Sequence, residues 1–302
     1  MTSLVLDKDI DRGTEDRHQS IVRKILIWMR RLPVFPVLIL GIFLICGIFG
    51  DFLISQDPLR NNLKQVLTPP FWQEGGSTDF LLGTDHLGRD ILSRLISGAS
   101  VSLQVGFVVV IFAGAIGVIF GLIAGYLGGK ADTIIMRTCD IVLSMPYMMV
   151  AIALVAILGP SKNNLVIILV VLGWAGYARV LRSEVLRVKE GDFVHLAVLA
   201  GASKIRVMAV HIFPNIVNTL IIMATLQLGS VIIAEAGLSF LGLGVPPPEP
   251  AWGSMCADGR DYMFDSWWIS FWPGLAIMLV VLSCNLLGDW LRVRLDPKFR
   301  QT

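Results

Sequence analysis

The sequence predicts an all-α integral membrane protein with six transmembrane helices. Hydrophobic residues make up 55% of its 302 residues and charged residues only 16%, which is too apolar for a soluble domain whose surface faces water. Six segments are also long and apolar enough to cross a bilayer as helices, which takes about 20 residues each. These segments are residues 33–55, 99–128, 134–158, 163–182, 216–237 and 271–290. An even number of spans places both termini on the same side of the membrane.

The distribution of lysine and arginine predicts which side that is. Basic residues are concentrated in the N-terminal tail, in the connection after the fourth span and in the C-terminal tail. The loop at about 244–270, by contrast, has Arg260 alone among several acidic residues. By the positive-inside rule, both tails and residues 187–214 are cytoplasmic.

The predicted organisation has three parts. Residues 1–97 comprise the cytoplasmic N-terminal tail, the first transmembrane helix and an extracytoplasmic loop. Residues 98–290 form the transmembrane core, which contains the cytoplasmic loop 187–214, and residues 291–302 form the cytoplasmic C-terminal tail. The first span lacks a small-residue cleavage site, so we expect it to remain in the protein and not to be removed as a signal peptide.

Glycine and proline inside the spans predict how the helices pack. Gly117, Gly121 and Gly125 recur every fourth residue in the second span, which lets another helix approach closely on that face. The alternative is the general richness of membrane helices in glycine. Pro146 lies inside the third span, removes a backbone hydrogen bond and predicts a kink. We expect the kink to be structural, and the alternative is a gate.

The chain lacks the sequence motifs of several classes of enzyme. It has no P-loop, no H-E-x-x-H and no G-x-S-x-G, so we expect no catalytic site and no ATPase site of its own. Its cysteines and histidines are scattered without metal-ligand spacing, which predicts neither a disulfide framework nor a metal site. These residues are Cys46, Cys139, Cys256, Cys284, His18, His86, His195 and His211. The net charge of +2 gives no indication of a nucleic-acid partner.

Three functions remain: a transporter subunit driven by a partner ATPase, an ion-coupled secondary transporter or channel, and an intramembrane hydrolase. Ion-coupled carriers keep ionisable residues near the middle of their spans. Here the ionisable residues lie at span ends, and they are Asp51, Arg137, Asp140, Arg179, Arg182 and Glu235. This placement weakens the ion-coupled alternative and leaves it open.

The fourth connection has the pattern of a short helix, a turn and a second helix. Phe193, Leu196, Ala197 and Ala200 have the spacing of one helix face, and Gly201 supplies a stop. Ser203 can cap the second helix, and Pro214 suits the first turn of the next span. The segment is too short and too polar to cross the membrane, so we expect it to be a docking surface on the cytoplasmic face. The alternative is an amphipathic helix that rests on the lipid surface.

The same stretch, "GASKIRVMAVHIFPN", resembles the cytoplasmic EAA loop of ABC importer permeases. Elsewhere in the chain, "LLGTDHLGRDILSRLISGA", "EAGLSFLGLG", "PAWGSM" and "NLLGDWLRVRLDPK" resemble the second permease subunit of dipeptide, oligopeptide and nickel importers. The resemblance runs from about residue 80 to the C-terminus. One departure is clear: the family loop usually has Glu-Ala-Ala where this chain has His195, Leu196 and Ala197.

The resemblance implies a type I ABC importer permease fold in the bacterial inner membrane. The implied partners are a homologous permease subunit, two ATP-binding subunits and an extracytoplasmic substrate-binding protein. ATP and magnesium would then be bound by the partner subunits, and this chain would bind no cofactor. The segment implied to couple hydrolysis to transport consists of Phe193, His195, Leu196, Ala197, Ala200, Gly201, Ala202, Ser203 and Pro214. The substrate stays open among dipeptides, longer peptides, glutathione, nickel chelates and opine-like compounds.

Two expectations concern the opposite side of the membrane. The loop at about 238–270 is expected to face outward and to help receive the binding protein, with Trp267, Trp268 and Trp272 at the membrane interface and Cys256 open to impermeant thiol reagents. The alternative is a passive connector with an aromatic anchor. Glu235 is expected near the outer end of the fifth span, where it could line the substrate path, and the alternative is an interfacial or helix-pairing glutamate.

Overall fold

The computed structural model describes residues 33–295, and within that range the chain is helical, with turns and loops between the helices. The helices are α1 (Val34–Leu53), α2 (Ile91–Leu127), α3 (Gly129–Ser144), α4 (Tyr147–Leu158), α5 (Lys162–Lys189), α6 (Asp192–Leu199), α7 (Lys204–Phe240), α8 (Trp252–Asp258) and α9 (Trp268–Leu295). The described residues form no strand beyond one isolated bridge between Thr84 and Asp90. The predicted N-terminal tail and most of the C-terminal tail predicted at 291–302 lie outside the described residues, and residues 291–295 belong to α9.

The apolar helices match the predicted spans in order and position. Helices α2, α5, α7 and α9 are each long and apolar enough to cross a membrane, and α3 with α4 makes a fifth span if the pair is counted as one. Helix α1 is apolar over the shorter stretch Val34–Gly50. It exposes apolar side chains such as Ile42, Ile48 and Phe52, as expected of a helix that faces lipid. The predicted all-α membrane fold is confirmed.

The third predicted span departs from the expected single kinked helix. The chain breaks between α3 and α4, and the two helices are bent by 88°. Met145 and Pro146 at the break have extended backbone angles. Proline disfavours helical angles in the residue before it and cannot donate the next helical hydrogen bond, which explains why the helix ends here. Residues 134–158 are therefore two helices at a right angle.

The glycine face of α2 packs directly against α5, as the spacing predicts. A β-carbon added at Gly117 would lie 2.3 Å from Tyr177 Cβ, one at Gly121 would lie 3.0 Å from Leu181 Cβ, and one at Gly125 would lie 2.6 Å from Val185 Cγ1. Because these distances are shorter than van der Waals contact, only glycine permits the observed separation of the two helices.

One end of the bundle, at the start of α2, is closed by α8, which lies among α2, α7 and α9. Trp252 at its start is fully buried, and its Nε1 donates a hydrogen bond to the Leu95 carbonyl at 3.0 Å. Gly253 lies against the backbone of α7, where an added β-carbon would lie 2.2 Å from the Ala236 carbonyl oxygen. The loop between α7 and α9 is thus partly packed into the bundle and is not a free connector.

An ion-pair network fixes α8 to the segment before α2. Arg89 donates to Asp85 at 2.6 Å and to Asp258 at 3.1 Å, and Arg94 lies 3.3 Å from the same Asp258 oxygen. Asp90 caps α2, since its Oδ2 accepts from the Ser93 amide at 2.9 Å. The contacts of Arg89 and Arg94 with Asp258 join parts of the chain 169 and 164 residues apart in sequence.

The expected interfacial role of Trp268 is wrong. Its side chain is buried, and its Nε1 donates a hydrogen bond to the Thr84 carbonyl at 3.1 Å, which ties α9 to the loop before α2. Trp267 and Trp272 instead contact each other with ring centroids 6.4 Å apart, and Trp272 also contacts Trp72 at 6.0 Å. Both are only partly buried, as suits aromatic residues at a membrane interface.

The close packing of α2 on α5 leads to a test with a matched control. We expect Gly117→Leu to destabilise the protein by about 1–3 kcal/mol, because the larger side chain forces the helices apart. Gly176→Ala, on α5 where an added β-carbon meets nothing within 4 Å, should be neutral or slightly stabilising. The measurement is thermal unfolding of the purified chain in detergent. Equal stability of both variants would contradict the packing.

Candidate functional site

Helix α6 ends in a tight turn at Gly201. The amide of Gly201 donates to the Val198 carbonyl at 3.0 Å, and the amide of Ala202 donates to the Ala197 carbonyl at 3.1 Å. This pair of bonds is the Schellman arrangement, which needs a left-handed residue just after the helix. Gly201 has φ +82°, so the turn that the sequence predicts at this glycine is present.

The helix after the turn begins at a cap and then continues without a break into the membrane. Ser203 Oγ accepts a hydrogen bond from the Arg206 amide at 3.3 Å, as predicted. The segment Lys204–Arg206 leads into a π-helical segment, Val207–Ile212, and then into regular α-helix from Phe213. These three segments form the continuous 37-residue helix α7.

Pro214 lies at the start of the regular α-helical part of α7, where the sequence places it. The expected boundary between a surface helix and a new span is nevertheless absent, because the π-helical segment joins the two. Proline has no backbone N–H and so cannot donate a hydrogen bond to the preceding turn. A π-helical turn, which is wider than an α-helical turn, accommodates such a residue when it comes just before it. The surface segment and the span are therefore one element.

The predicted apolar face of α6 is not covered by this chain. Phe193 is 46% exposed, Leu196 64% and Leu199 83%, and we call these three side chains the docking face. Sequence reasoning missed Leu199, although it follows Leu196 at helical spacing. Of the other predicted face residues, Ala200 is exposed and Ala197 is half-buried. Exposed leucine and phenylalanine side chains at helical spacing indicate a surface that either a protein partner or lipid covers.

The opposite side of α6 is anchored to the bundle. Val194 is 2% exposed and packs in one apolar cluster with Val185 and Val188 of α5 and with Val207 and Ile212 of α7. The docking face therefore rests on a packed support made by the C-terminal end of α5 and the N-terminal part of α7. His195 projects beside it and is exposed.

Glu235 is enclosed in the interior near the outer end of α7. Its exposure is 0%, its Oε1 accepts a hydrogen bond from Ser239 Oγ at 2.7 Å, and the Ser102 hydroxyl of α2 lies close by. Ser239 Oγ in turn accepts from the Val245 amide at 3.4 Å, in the loop that follows α7. In this conformation the contacts favour the alternative of a glutamate that joins α7 to its neighbours over one that lines an open path.

Asp85, His86 and Asp258 come together at the outer end of the bundle, with potential ligand atoms within 4.8 Å of one another. Sequence reasoning missed this cluster because Asp258 is remote from the other two in the chain. The cluster does not suit a metal ion, since the guanidinium groups of Arg89 and Arg94 already bind its carboxylates. Its chemistry is that of the ion-pair network described above.

Comparisons with known proteins agree with this arrangement. Residues 117–301 match the family model of the binding-protein-dependent transport system inner membrane component. The chain is 46% identical over 260 residues to the dipeptide transport system permease protein DppC of Escherichia coli K12, covering 86% of this chain and 87% of the relative. It is 44% identical over 264 residues to the di/tripeptide transport system permease protein DppC of Pseudomonas aeruginosa, covering 87% of each. It is 37% identical over 278 residues to DppC of Bacillus subtilis, covering 90% of this chain and 85% of the relative.

Proposed function

Because the chain belongs to the family of binding-protein-dependent transport system inner membrane components, we propose that it forms part of the path for a peptide and that residues 191–214 transmit the force of ATP hydrolysis to it. The chain is a permease subunit of an ABC importer in the inner membrane, and the ATPase activity lies in separate subunits. This membership decides against the ion-coupled alternative. The resemblance that the sequence motifs predict is confirmed.

The coupling proposal rests on one observation, the exposed docking face and the buried apolar cluster that supports it. Three exposed apolar side chains on α6 offer a surface to a partner, and the Gly201 turn joins that surface to α7. A push on α6 is passed to α7 through the buried contacts of Val194 with Val207 and Ile212. We propose that Phe193, His195, Leu196, Ala197, Ala200, Gly201, Ala202, Ser203 and Pro214 form this coupling segment.

Helix α7 connects the coupling segment to the outer end of the bundle. Its 37 residues correspond to about 55 Å at 1.5 Å per residue. At its far end, Ala236 lies against Gly253 of α8, and Glu235 and Ser239 hold the loop that follows. A displacement at the cytoplasmic end can therefore reach the loop that we propose receives the substrate-binding protein.

The relatives support a peptide as the substrate. Their names describe permeases for dipeptides and for di- and tripeptides, and another Escherichia coli relative is named as a D,D-dipeptide permease. We propose a dipeptide or similar short peptide, a homologous permease subunit and two ATP-binding subunits that hold ATP and magnesium. Both termini are then cytoplasmic, in line with the basic residues of the tails.

The coupling role predicts the effect of a charge on the docking face. We expect Leu196→Asp to reduce peptide uptake and peptide-stimulated ATP hydrolysis at least tenfold in the purified, reconstituted complex, because a carboxylate would lose solvation in an apolar groove. Leu196→Met, which keeps the apolar character, is the control and should retain most activity. Wild-type coupling in Leu196→Asp would rule out this face as the ATPase contact.

The proposed topology predicts which introduced thiols are accessible from outside. In a background without native cysteines, Phe264→Cys should react with an impermeant maleimide on intact spheroplasts, and Lys130→Cys should react only after permeabilisation. Phe264 is 100% exposed, and Lys130 is exposed at the start of α3, away from the docking face. Labelling of Lys130→Cys from outside would invert the proposed topology.

Native Cys256 is a poor reporter for that experiment, contrary to the expectation from its position in the loop. Its Sγ lies 3.7 Å from the Ser270 carbonyl oxygen, and burial raises the pKa of the thiol to about 11. Little thiolate therefore forms at neutral pH, and the thiolate is the reactive species.

Glu235 gives a separate test of the path. We expect Glu235→Gln to retain uptake and substrate preference, because an amide can keep the hydrogen bond with Ser239 in the enclosed site. Glu235→Leu, which cannot, should lower the thermal stability of the complex. A changed substrate preference in Glu235→Gln at normal expression would place this side chain in the path.

A further inference from the structure

A basic cavity lies beside the docking face, between α6 and the cytoplasmic ends of α2 and α5. Its volume is about 280 Å³. His195 on α6, Lys189 at the end of α5 and Lys204 at the start of α7 line it together with Tyr126 of α2. Val194, which also lines the cavity, is buried and gives it an apolar floor.

The positive charge of this cavity is not neutralised by its own walls. None of the residues that line it is an aspartate or a glutamate. Lys189 Nζ donates to the Tyr126 carbonyl at 3.0 Å and lies 5.6 Å from the centroid of the Tyr126 ring, so both of its contacts are to uncharged groups. Within residues 33–295, neither Lys204 nor His195 has an ion-pair partner.

Acidic residues occur nearby but do not line the cavity. Glu184 pairs with Arg187 at 2.6 Å, before the end of α5. Glu190 precedes α6 and Asp192 is its first residue, and neither lines the cavity. The cavity is therefore an open, positively charged recess at the edge of an exposed apolar face.

We propose that this recess receives an acidic side chain of the ATP-binding subunit, so that the docking face enters an apolar groove while a carboxylate pairs with Lys204 and His195. The inference rests on the proposed coupling function and adds the chemistry of the partner. A carboxylate is the group that fits, because it complements lysine and histidine and because partial enclosure over Val194 strengthens the pairing relative to open solvent. In this contact the permease supplies the positive charge and the ATP-binding subunit the negative charge. A loop with the usual glutamate at the position of His195 would carry a negative charge there instead.

The test is a charge reversal at the recess. The permease pair is held in nanodiscs of zwitterionic lipid, and binding of its purified ATP-binding subunits is measured at low and high ionic strength. We expect Lys204→Glu, alone and with His195→Glu, to weaken binding at least tenfold at low salt, because like charges then face each other. Wild-type binding should weaken as salt rises, and binding of the variants should lose that dependence.

Matched variants separate the possible outcomes. Lys130→Glu reverses an exposed lysine at the start of α3, outside the recess, and should bind as wild type. Lys204→Gln removes the charge without reversal, should fold normally and should give an intermediate affinity. Unchanged affinity and salt dependence in both Lys204→Glu and the double variant would overturn the inference.

Two further arms identify the cause of a failure. If Leu196→Asp weakens binding while the reversals do not, the coupling function stands and the acidic contact is wrong. If Leu196→Asp also binds normally, the coupling function itself fails. An effect of Lys204→Glu that occurs only in nanodiscs with anionic lipid would assign the recess to a lipid headgroup and would also overturn the proposal.

Discussion

The packing of α2 against α5 is the contact on which the rest of the structure depends. Gly117, Gly121 and Gly125 let the two backbones approach, and α5 fills the space that their missing side chains leave. In lipid, helices gain little from burying apolar surface, so such close van der Waals contact is a main source of association. The same contact brings the C-terminal ends of both helices together, where the Lys189 amine donates a hydrogen bond to the Tyr126 carbonyl.

That joined pair of helix ends supports the coupling segment. Val194 of α6 packs against the end of α5 and against the start of α7, so α6 is held by its buried side and offers the opposite side to a partner. The turn at Gly201 is short and closed by two backbone hydrogen bonds. Because α7 then runs without interruption to the loop that follows Phe240, one continuous helix connects the docking face with α8 and that loop. This continuity is the structural basis of the proposed coupling role.

The features that sequence reasoning predicted are those that a local pattern determines. Apolar length gives the spans, four-residue glycine spacing gives the α2–α5 contact, and Gly201 and Ser203 give the turn and the cap. The missed features depend on distant parts of the chain. The hydrogen bond from Trp268 to Thr84, the ion pairs of Asp258 with Arg89 and Arg94, and the enclosure of Glu235 are contacts between elements, which periodicity does not reveal. The right-angle break at Pro146 was underestimated because a proline indicates a bend but not its size.

The central claim is that α7 moves as one body when the coupling segment is displaced. The most direct measurement is the distance between spin labels at Ile205→Cys and Leu241→Cys, at the two ends of α7, by double electron–electron resonance in the reconstituted complex. Both positions are exposed, at 75% and 55%. The account predicts the same narrow distance distribution with and without ATP. A distribution that shortens or broadens on ATP binding would show that α7 bends, for instance at the π-helical segment Val207–Ile212, and would contradict rigid transmission.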